Sequence, residues 1–152
     1  MRSAWVNTIV GVIGVVMSAT FNDAMASSRG PALDKAGRVV YQQSCASCHG
    51  ARGEGSPAWQ QPDRQGELPA PPHDSEGHTW KHSDAMLYRI VQQGWRDPFN
   101  KTQRLTMPAF QGQLSPRETI AVISYLKTLW TPEQRQFQKR ESEHQPFLPM
   151  AP

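Results

Sequence analysis

The chain has 152 residues, with 16 Lys and Arg against 13 Asp and Glu and a formal net charge of +3. Apolar residues make up 38% of it, a globular composition that excludes wholesale disorder. Proline is enriched at 13 residues, so we expect one compact domain with long, proline-stiffened loops. Two cysteines exclude a disulfide framework beyond a single bridge. The positive charge is too diffuse to favour nucleic acid as a partner.

The N-terminal segment has the pattern of an export signal. Arg2 is followed by an apolar stretch from Ile9 to Met17 and by Ala-Met-Ala at residues 24–26, which fits the motif of a signal-peptidase site. We therefore interpret residues 1–26 as a signal peptide and expect a periplasmic location. The alternative is that residues 5–21 are retained as a membrane anchor, although the apolar run is short for a membrane span.

Apolar periodicity predicts three helices within residues 27–132, followed by a polar, exposed helix and a loose tail in residues 133–152. Between the helices lie two irregular stretches, which are too long for a compact domain unless they wrap around something. The predicted helices are Pro31 to Gln43, a helix capped by Ser83 and ended by Gly94, and a helix that starts at Ser115 with a capping box and runs to about Trp130. The irregular stretches are Gly50 to Lys81 and Trp95 to Gln113.

The segment Cys45-Ala46-Ser47-Cys48-His49 directly follows the first predicted helix. Two thiols one turn apart can each form a thioether with a vinyl group on the same edge of a porphyrin, and the next residue then places an imidazole under the iron. A redox-active dithiol would follow a strand, and a structural zinc site would need a second cysteine pair, which the chain lacks. We therefore predict one covalently bound haem c, held by Cys45 and Cys48, with His49 as the proximal iron ligand.

Around this motif the sequence resembles the class I cytochromes c, over about residues 32–130. Gly37, Tyr41 and Cys45 repeat the Gly-x3-aromatic-x3-Cys opening of that family. The resemblance implies an all-α fold of three to four helices wrapped around one haem, in which Gly37 lets the first helix cross closely over the last one near Tyr125. The stretches at residues 70–74 and 77–80 resemble a bacterial monohaem subgroup of this family, and we expect an electron carrier and not an enzyme. Because the haem supplies core area to the loops, we expect the haem-free chain to be poorly folded.

Met107-Pro108 lies about eight residues ahead of the last predicted apolar helix, where that family places its second axial ligand. We predict Met107 as the distal iron ligand, because Pro108 stiffens a loop there, whereas Met86 falls inside a predicted helix and is expected to pack in the core. A thioether ligand raises the reduction potential, and two closed axial positions shut out oxygen and peroxide. These features suit a one-electron carrier; an open iron position, as in an enzyme or a gas sensor, is the alternative.

Three histidines, His73, His78 and His82, fall within the first irregular stretch and just after it. One interpretation is that they contact haem propionates, cap turns or face solvent. The other is that they hold a second metal ion, copper or zinc, because imidazole is a good ligand for both.

Basic residues near the expected haem edge are candidates for steering an acidic redox partner, and the alternative is that they only solvate the surface. These residues are Lys81, Lys101 and Arg104. The electron donor and acceptor are both expected to be redox proteins that the sequence does not identify. Membrane contact is expected only if the N-terminal segment is retained.

The tryptophans and prolines of the loops have predicted supporting roles. Trp80 is expected to pack at the haem edge and to donate its indole N–H to a propionate. Ordinary packing is predicted for Trp59, Trp95 and Trp130. The resemblance implies that a proline carbonyl accepts a hydrogen bond from the His49 ring, and both Pro57 and Pro62 are candidates.

Overall fold

The computed structural model describes the backbone of residues 19–145 and the side chains of residues 30–145. These residues form five α helices, one 3-10 turn and two isolated β-bridges, without a strand, which confirms the predicted all-α class. The helices are α1 Ala19–Ser44, α2 Ala46–His49, α3 Asp84–Gln93, α4 Pro116–Lys127 and α5 Pro132–His144, and the 3-10 turn is Thr79–Lys81. We call the irregular stretch from α2 to the 3-10 turn loop A, and the stretch from α3 to α4 loop B.

Helix α1 begins earlier than the sequence pattern predicts. It starts at Ala19 and continues through Pro31, where the prediction places the helix start. Residues 1–18 lie outside the described residues and contain most of the predicted signal peptide, so export stays a prediction. Within residues 19–145, no helix combines the length and the apolar character that a membrane crossing requires.

The crossing of α1 and α4 forms the centre of the helical core. Gly37 lies directly against the Ala121 carbonyl, and a Cβ on Gly37 would lie 2.9 Å from the Tyr125 Cβ. The glycine therefore permits a backbone approach that any larger residue would block, as the family resemblance implies. The buried apolar residues around this crossing are Val40, Tyr41, Leu87, Val122, Ile123, Leu126 and Trp130.

Local capping sets the start of the two helices that frame loop B. Ser83 accepts a hydrogen bond from the Met86 amide at 3.3 Å, and Gly94 ends α3 as predicted. Ser115 and Glu118 form the predicted capping box at the start of α4. Helix α4 ends at Lys127, a few residues before the predicted end, and Trp130 then turns its side chain into the core, where it is 3% exposed.

Helix α5 is helical as predicted, but one of its faces is buried, in contrast to the solvated helix that its polar sequence suggests. Gln138 is only 2% exposed and donates to the His82 carbonyl at 3.3 Å and to Asp84 Oδ1 at 2.6 Å. The Phe137 ring meets Trp80 edge to face at 5.5 Å. Because each buried polar group has a partner, α5 packs against the 3-10 turn and the start of α3 without an apolar stripe.

We predict that Gly37→Ala destabilises the protein, although alanine normally stabilises a helix relative to glycine. The added methyl group meets the Ala121 carbonyl, and overpacking of this kind costs about 1–3 kcal/mol of unfolding free energy. The measurement is urea unfolding of the purified protein. The matched control is Ala36→Gly at the neighbouring exposed position, which loses about 0.5–1 kcal/mol. A more stable Gly37→Ala variant would show that helix propensity, and not the close crossing, decides the outcome.

Candidate functional site

A cavity of about 620 Å³ lies between loop A, loop B and α3. Its lining is mostly apolar and includes Leu68 from loop A, Ile90 from α3 and Pro108 from loop B. A volume of this size matches the sites that proteins use for bulky ligands. The two long loops therefore wrap a shared cavity.

Three of the four predicted site residues line this cavity: Cys48, His49 and Met107. Cys45 is partly buried and packs against the helical core, and both thiols are free. Burial raises the pKa of Cys45 to about 11. The structure thus brings an exposed thiol, an imidazole and a thioether to the same cavity, and the second thiol, that of Cys45, lies directly before α2.

His49 ends α2 and is 7% exposed. Its Nδ1 atom lies 2.9 Å from the Pro71 carbonyl oxygen, and since a carbonyl only accepts, Nδ1 carries the proton and donates it. The neutral Nε2 atom is left with a free lone pair, as an iron ligand requires. Burial lowers the pKa of His49, against the opposing effect of the Pro71 hydrogen bond, so the ring is neutral at pH 7. Pro71 therefore takes the role that the sequence analysis gave to Pro57 or Pro62, and that assignment was wrong.

Contacts around α2 hold the His49 ring in place. Tyr41 donates its hydroxyl to the Gly50 carbonyl at 2.8 Å, which fixes the end of α2 against α1. The His73 ring stacks on the His49 ring, with centroids 4.0 Å apart. His73 is itself fixed by a 2.9 Å hydrogen bond between Nδ1 and the Thr79 hydroxyl. The imidazole is therefore oriented by the backbone and by a neighbouring ring, which is the arrangement that a preorganised ligand needs.

Met107 is held at the cavity by its own backbone. Its amide and carbonyl exchange two 3.0 Å hydrogen bonds with Trp95, directly after α3. This pairing depends on Gly94, which has a φ of +76° and whose added Cβ would lie 2.6 Å from the Met107 carbonyl oxygen. Met86 lines the same cavity from α3, so its predicted place in the helical core is wrong. Two thioethers are thus available to the cavity, one on a helix and one on a loop.

The three histidines of the sequence analysis all line the cavity. The His78 and His82 rings meet edge to face at 5.3 Å, and His78 also stacks on Trp59 at 5.5 Å. Burial lowers the pKa of both His78 and His82, which favours their neutral forms. Among residues 30–145, no group of three or more His, Cys, Asp or Glu side chains is arranged to hold a metal ion.

The tryptophans are distributed differently from the sequence prediction. Trp59 and Trp95, for which ordinary packing was predicted, line the cavity. The Trp80 indole N–H is already donated, to the Gly77 carbonyl at 3.0 Å, so its predicted bond to a propionate is replaced by a bond within the chain. Trp130 packs in the core as predicted and donates to the His73 carbonyl at 2.8 Å.

The model of the Cytochrome c family matches residues 35–130, and the chain belongs to this family. No curated protein and no solved structure matches the chain. Members of the family bind haem c covalently through Cys-x-x-Cys-His and act in electron transfer, so the chain is a haem-based electron carrier. The residues of the cavity fit this group, because a large apolar space adjoins a thiol and a buried neutral imidazole with a free Nε2 atom.

We predict that Gly94→Ala destabilises the protein by about 1–3 kcal/mol more than Gly112→Ala. Both glycines have a positive φ, 76° and 82°, so an alanine is strained at either position. Only the methyl group at position 94 meets the Met107 carbonyl, whereas nothing lies within 4 Å of an added Cβ at position 112. The difference is measured as unfolding free energy in urea. Equal losses in the two variants would show that Met107 does not depend on the close approach at Gly94.

Proposed function

We propose that the protein is a monohaem class I cytochrome c that carries one electron at a time between redox complexes outside the cytoplasmic membrane. The observation that carries this proposal is the placement of His49 and Met107 on one apolar cavity, each fixed by backbone hydrogen bonding. A single Cys-x-x-Cys-His segment occurs in the chain, which supports one haem. When bound, the haem supplies a one-electron couple between ferric and ferrous iron.

Each residue of the proposed site has a distinct role. Cys45 and Cys48 hold the haem through thioether bonds, and the partly buried Cys45 ties that edge to the helical core. His49 gives its Nε2 lone pair to the iron from the proximal side, while Pro71 keeps Nδ1 protonated. Met107 gives a thioether from the distal side, which favours the ferrous state relative to a second imidazole and raises the reduction potential.

The same arrangement argues for a carrier over an enzyme. With ligands on both sides, no iron position is open to oxygen or peroxide. The histidines at the cavity are held by neighbours: His73 by Thr79, and His78 by stacking on Trp59. They are therefore better placed to enclose a ligand than to move protons during catalysis.

Export is the third part of the proposal. Cytochrome c domains are typically extracytoplasmic, and covalent haem attachment in bacteria takes place on the outer side of the cytoplasmic membrane. The apolar N-terminal stretch and the small-x-small motif at residues 24–26 support a signal peptide over residues 1–26 and a periplasmic location.

Loop B is the proposed docking surface for an acidic redox partner. Phe99 is 87% exposed and directly follows Asp97 and Pro98, which line the cavity. The exposed cations Lys101 and Arg104 lie on the same loop, and Arg104 is paired with Glu67. The exposed Phe99 side chain offers an apolar contact, and the nearby positive charges would attract a partner whose contact surface is surrounded by acidic residues. Lys81 instead lies over the Trp80 ring, at 5.2 Å.

The first test is the near-infrared spectrum of the oxidised, haem-loaded protein. We expect a weak sulfur-to-iron charge-transfer band that is absent from Met107→Ala, together with a lower reduction potential in that variant. The matched control is Met86→Leu, which removes the other thioether of the cavity and keeps the band.

The outcomes separate the proposal from its rivals. A band that survives Met107→Ala and disappears in Met86→Leu would assign the distal ligand to Met86. A wild-type protein without the band contradicts thioether ligation. In that case a high-spin spectrum favours catalysis or sensing, and a low-spin spectrum favours ligation by one of His73, His78 and His82. A haem assay that gives more than one haem for each chain contradicts the monohaem assignment.

The second test measures how fast ferricyanide, a small anionic oxidant, oxidises the reduced protein. We expect Lys101→Glu to slow this reaction about fivefold at low ionic strength, because a repulsive charge replaces an attractive one beside the electron-exchange surface. The difference should shrink with added salt as the charges are screened. Lys139→Glu on α5 makes the same charge change at an exposed site outside the cavity lining and should have a much smaller effect. If the two variants are oxidised equally slowly, the charge at position 101 has no special effect, and electron exchange does not take place at loop B.

A further inference from the structure

Loops A and B are joined by a buried carboxylate. Glu67 of loop A is only 7% exposed. Its Oε1 atom accepts hydrogen bonds from Asn100 Nδ2 at 3.3 Å, Thr102 Oγ1 at 3.1 Å and Arg104 Nε at 3.3 Å. Its Oε2 atom forms an ion pair with Arg104 Nη2. The Glu67 carboxylate thus accepts hydrogen bonds from three side chains of loop B. We call the group of Glu67, Asn100, Thr102 and Arg104 the Glu67 clasp.

Two further hydrogen bonds accompany the Glu67 clasp and fix the register of the two loops. The Lys101 amide donates to the Gln65 carbonyl at 2.8 Å. The Leu68 amide donates to Asp97 Oδ2 at 2.7 Å. Leu68 and Asp97 both line the cavity, so the clasp lies immediately beside it.

Each of the two loops also carries a residue that matters for one of the proposed iron ligands. Loop A carries Pro71, whose carbonyl orients the His49 ring. Loop B carries Met107, which the backbone ties to Trp95. That bridge fixes the base of loop B, and the Glu67 clasp fixes its middle. Without the clasp, loop B would lose its side-chain hydrogen bonds to the Glu67 carboxylate and would keep the two amide hydrogen bonds that involve Lys101 and Leu68.

The charge of Glu67 is what gives the clasp its strength. Hydrogen bonds between ionised groups are the strong ones, and Glu67 with Arg104 is such a pair. The hydrogen bond from Arg104, supported by Thr102, holds the pKa of Glu67 below its usual range. The carboxylate is therefore ionised at neutral pH, and its contribution is lost only as the pH falls through that lowered value.

We propose that Glu67 is a positioning residue for the distal iron ligand: by joining loop B to loop A, it keeps Met107 closed over the cavity. The inference rests on the proposed ligation by Met107. Neutralising Glu67 then increases the fraction of molecules in which Met107 has left the iron, while the helical core, which the clasp does not touch, stays folded.

The test is the binding of free imidazole to the oxidised, haem-loaded protein. Imidazole competes with Met107 for the iron, so its apparent affinity rises in proportion to the fraction of open molecules. We expect Glu67→Gln to bind imidazole about tenfold more tightly than the wild type, because one charged hydrogen-bonding group is lost. The sulfur-to-iron band should also disappear at a lower urea concentration than the helical signal.

Asp63→Asn is the matched control. It removes the same charge from the same loop, but Asp63 Oδ1 accepts only from amides of its own loop, those of Gln65 and Glu67, at 2.8 Å and 2.9 Å. The carboxamide that replaces the carboxylate keeps an oxygen for these bonds. We therefore expect the imidazole affinity of this variant to stay within about twofold of the wild type.

A double-mutant cycle with Arg104→Ala tests whether the effect runs through the clasp. Since Arg104 acts through Glu67, the double variant should bind imidazole about as tightly as Glu67→Gln alone. Additive effects would overturn the inference. If Glu67→Gln does not fold, Thr102→Val removes one hydrogen bond to the carboxylate and should raise the affinity by about two- to threefold.

The remaining outcomes distinguish this inference from the proposed function. A wild-type protein without the sulfur-to-iron band overturns both. A wild-type protein with the band, in which Glu67→Gln and Asp63→Asn bind imidazole equally, overturns the clasp alone. An affinity gain in Glu67→Gln that is fully matched by lower unfolding stability of the helices would also overturn it, because the residue would then be merely structural.

Discussion

Loops A and B have no core of their own except the apolar cavity between them. The helices bury their apolar residues where α1 crosses α4, at Gly37 and Ala121, and Leu114 of loop B packs against this core. Several apolar residues of the loops, among them Trp59, Leu68 and Pro108, line a space of about 620 Å³. Long irregular segments are costly to order in a compact domain, since each residue loses conformational entropy. Contacts with a rigid apolar group in this space would offset that entropy. The cavity therefore accounts for the length of the loops, and their prolines lower the entropy that is lost on ordering.

Features that depend on short-range sequence could be predicted, because their physics lies within a few residues. The capping box of Ser115 and Glu118 starts α4 where expected, and the helix between Ser83 and Gly94 has its predicted bounds. The Cys-x-x-Cys-His segment is likewise a local pattern, which places His49 at the cavity. The start of α1 was predicted too late, because a proline normally marks the first turn of a helix and Pro31 lies inside this one.

Features that depend on the path of a long loop could not be predicted. The partner of His49 is Pro71, which lies 22 residues further along the chain, and nothing in the sequence distinguishes it from Pro57 or Pro62. The same holds for the tryptophans, since the path of loop A brings Trp59 to the cavity, whereas Trp80 of the 3-10 turn is not part of its lining. Gln138 of α5 shows another limit. A buried amide that is satisfied by Asp84 and the His82 carbonyl leaves no apolar periodicity to detect.

The two sides of the cavity differ in the kind of structure that supports them. His49 ends a helix that is fastened to α1 through Tyr41, and its ring is stacked on His73. Met107 belongs to a loop that is held by backbone hydrogen bonds to Trp95, Val91 and Gln92 and by a set of polar contacts at its middle. Segments with few buried apolar contacts open locally at a lower free energy than helical cores do. Local opening of the cavity is therefore expected to begin on the Met107 side, because on the His49 side Cys45 and Ala46 pack against the core of α1 and α4.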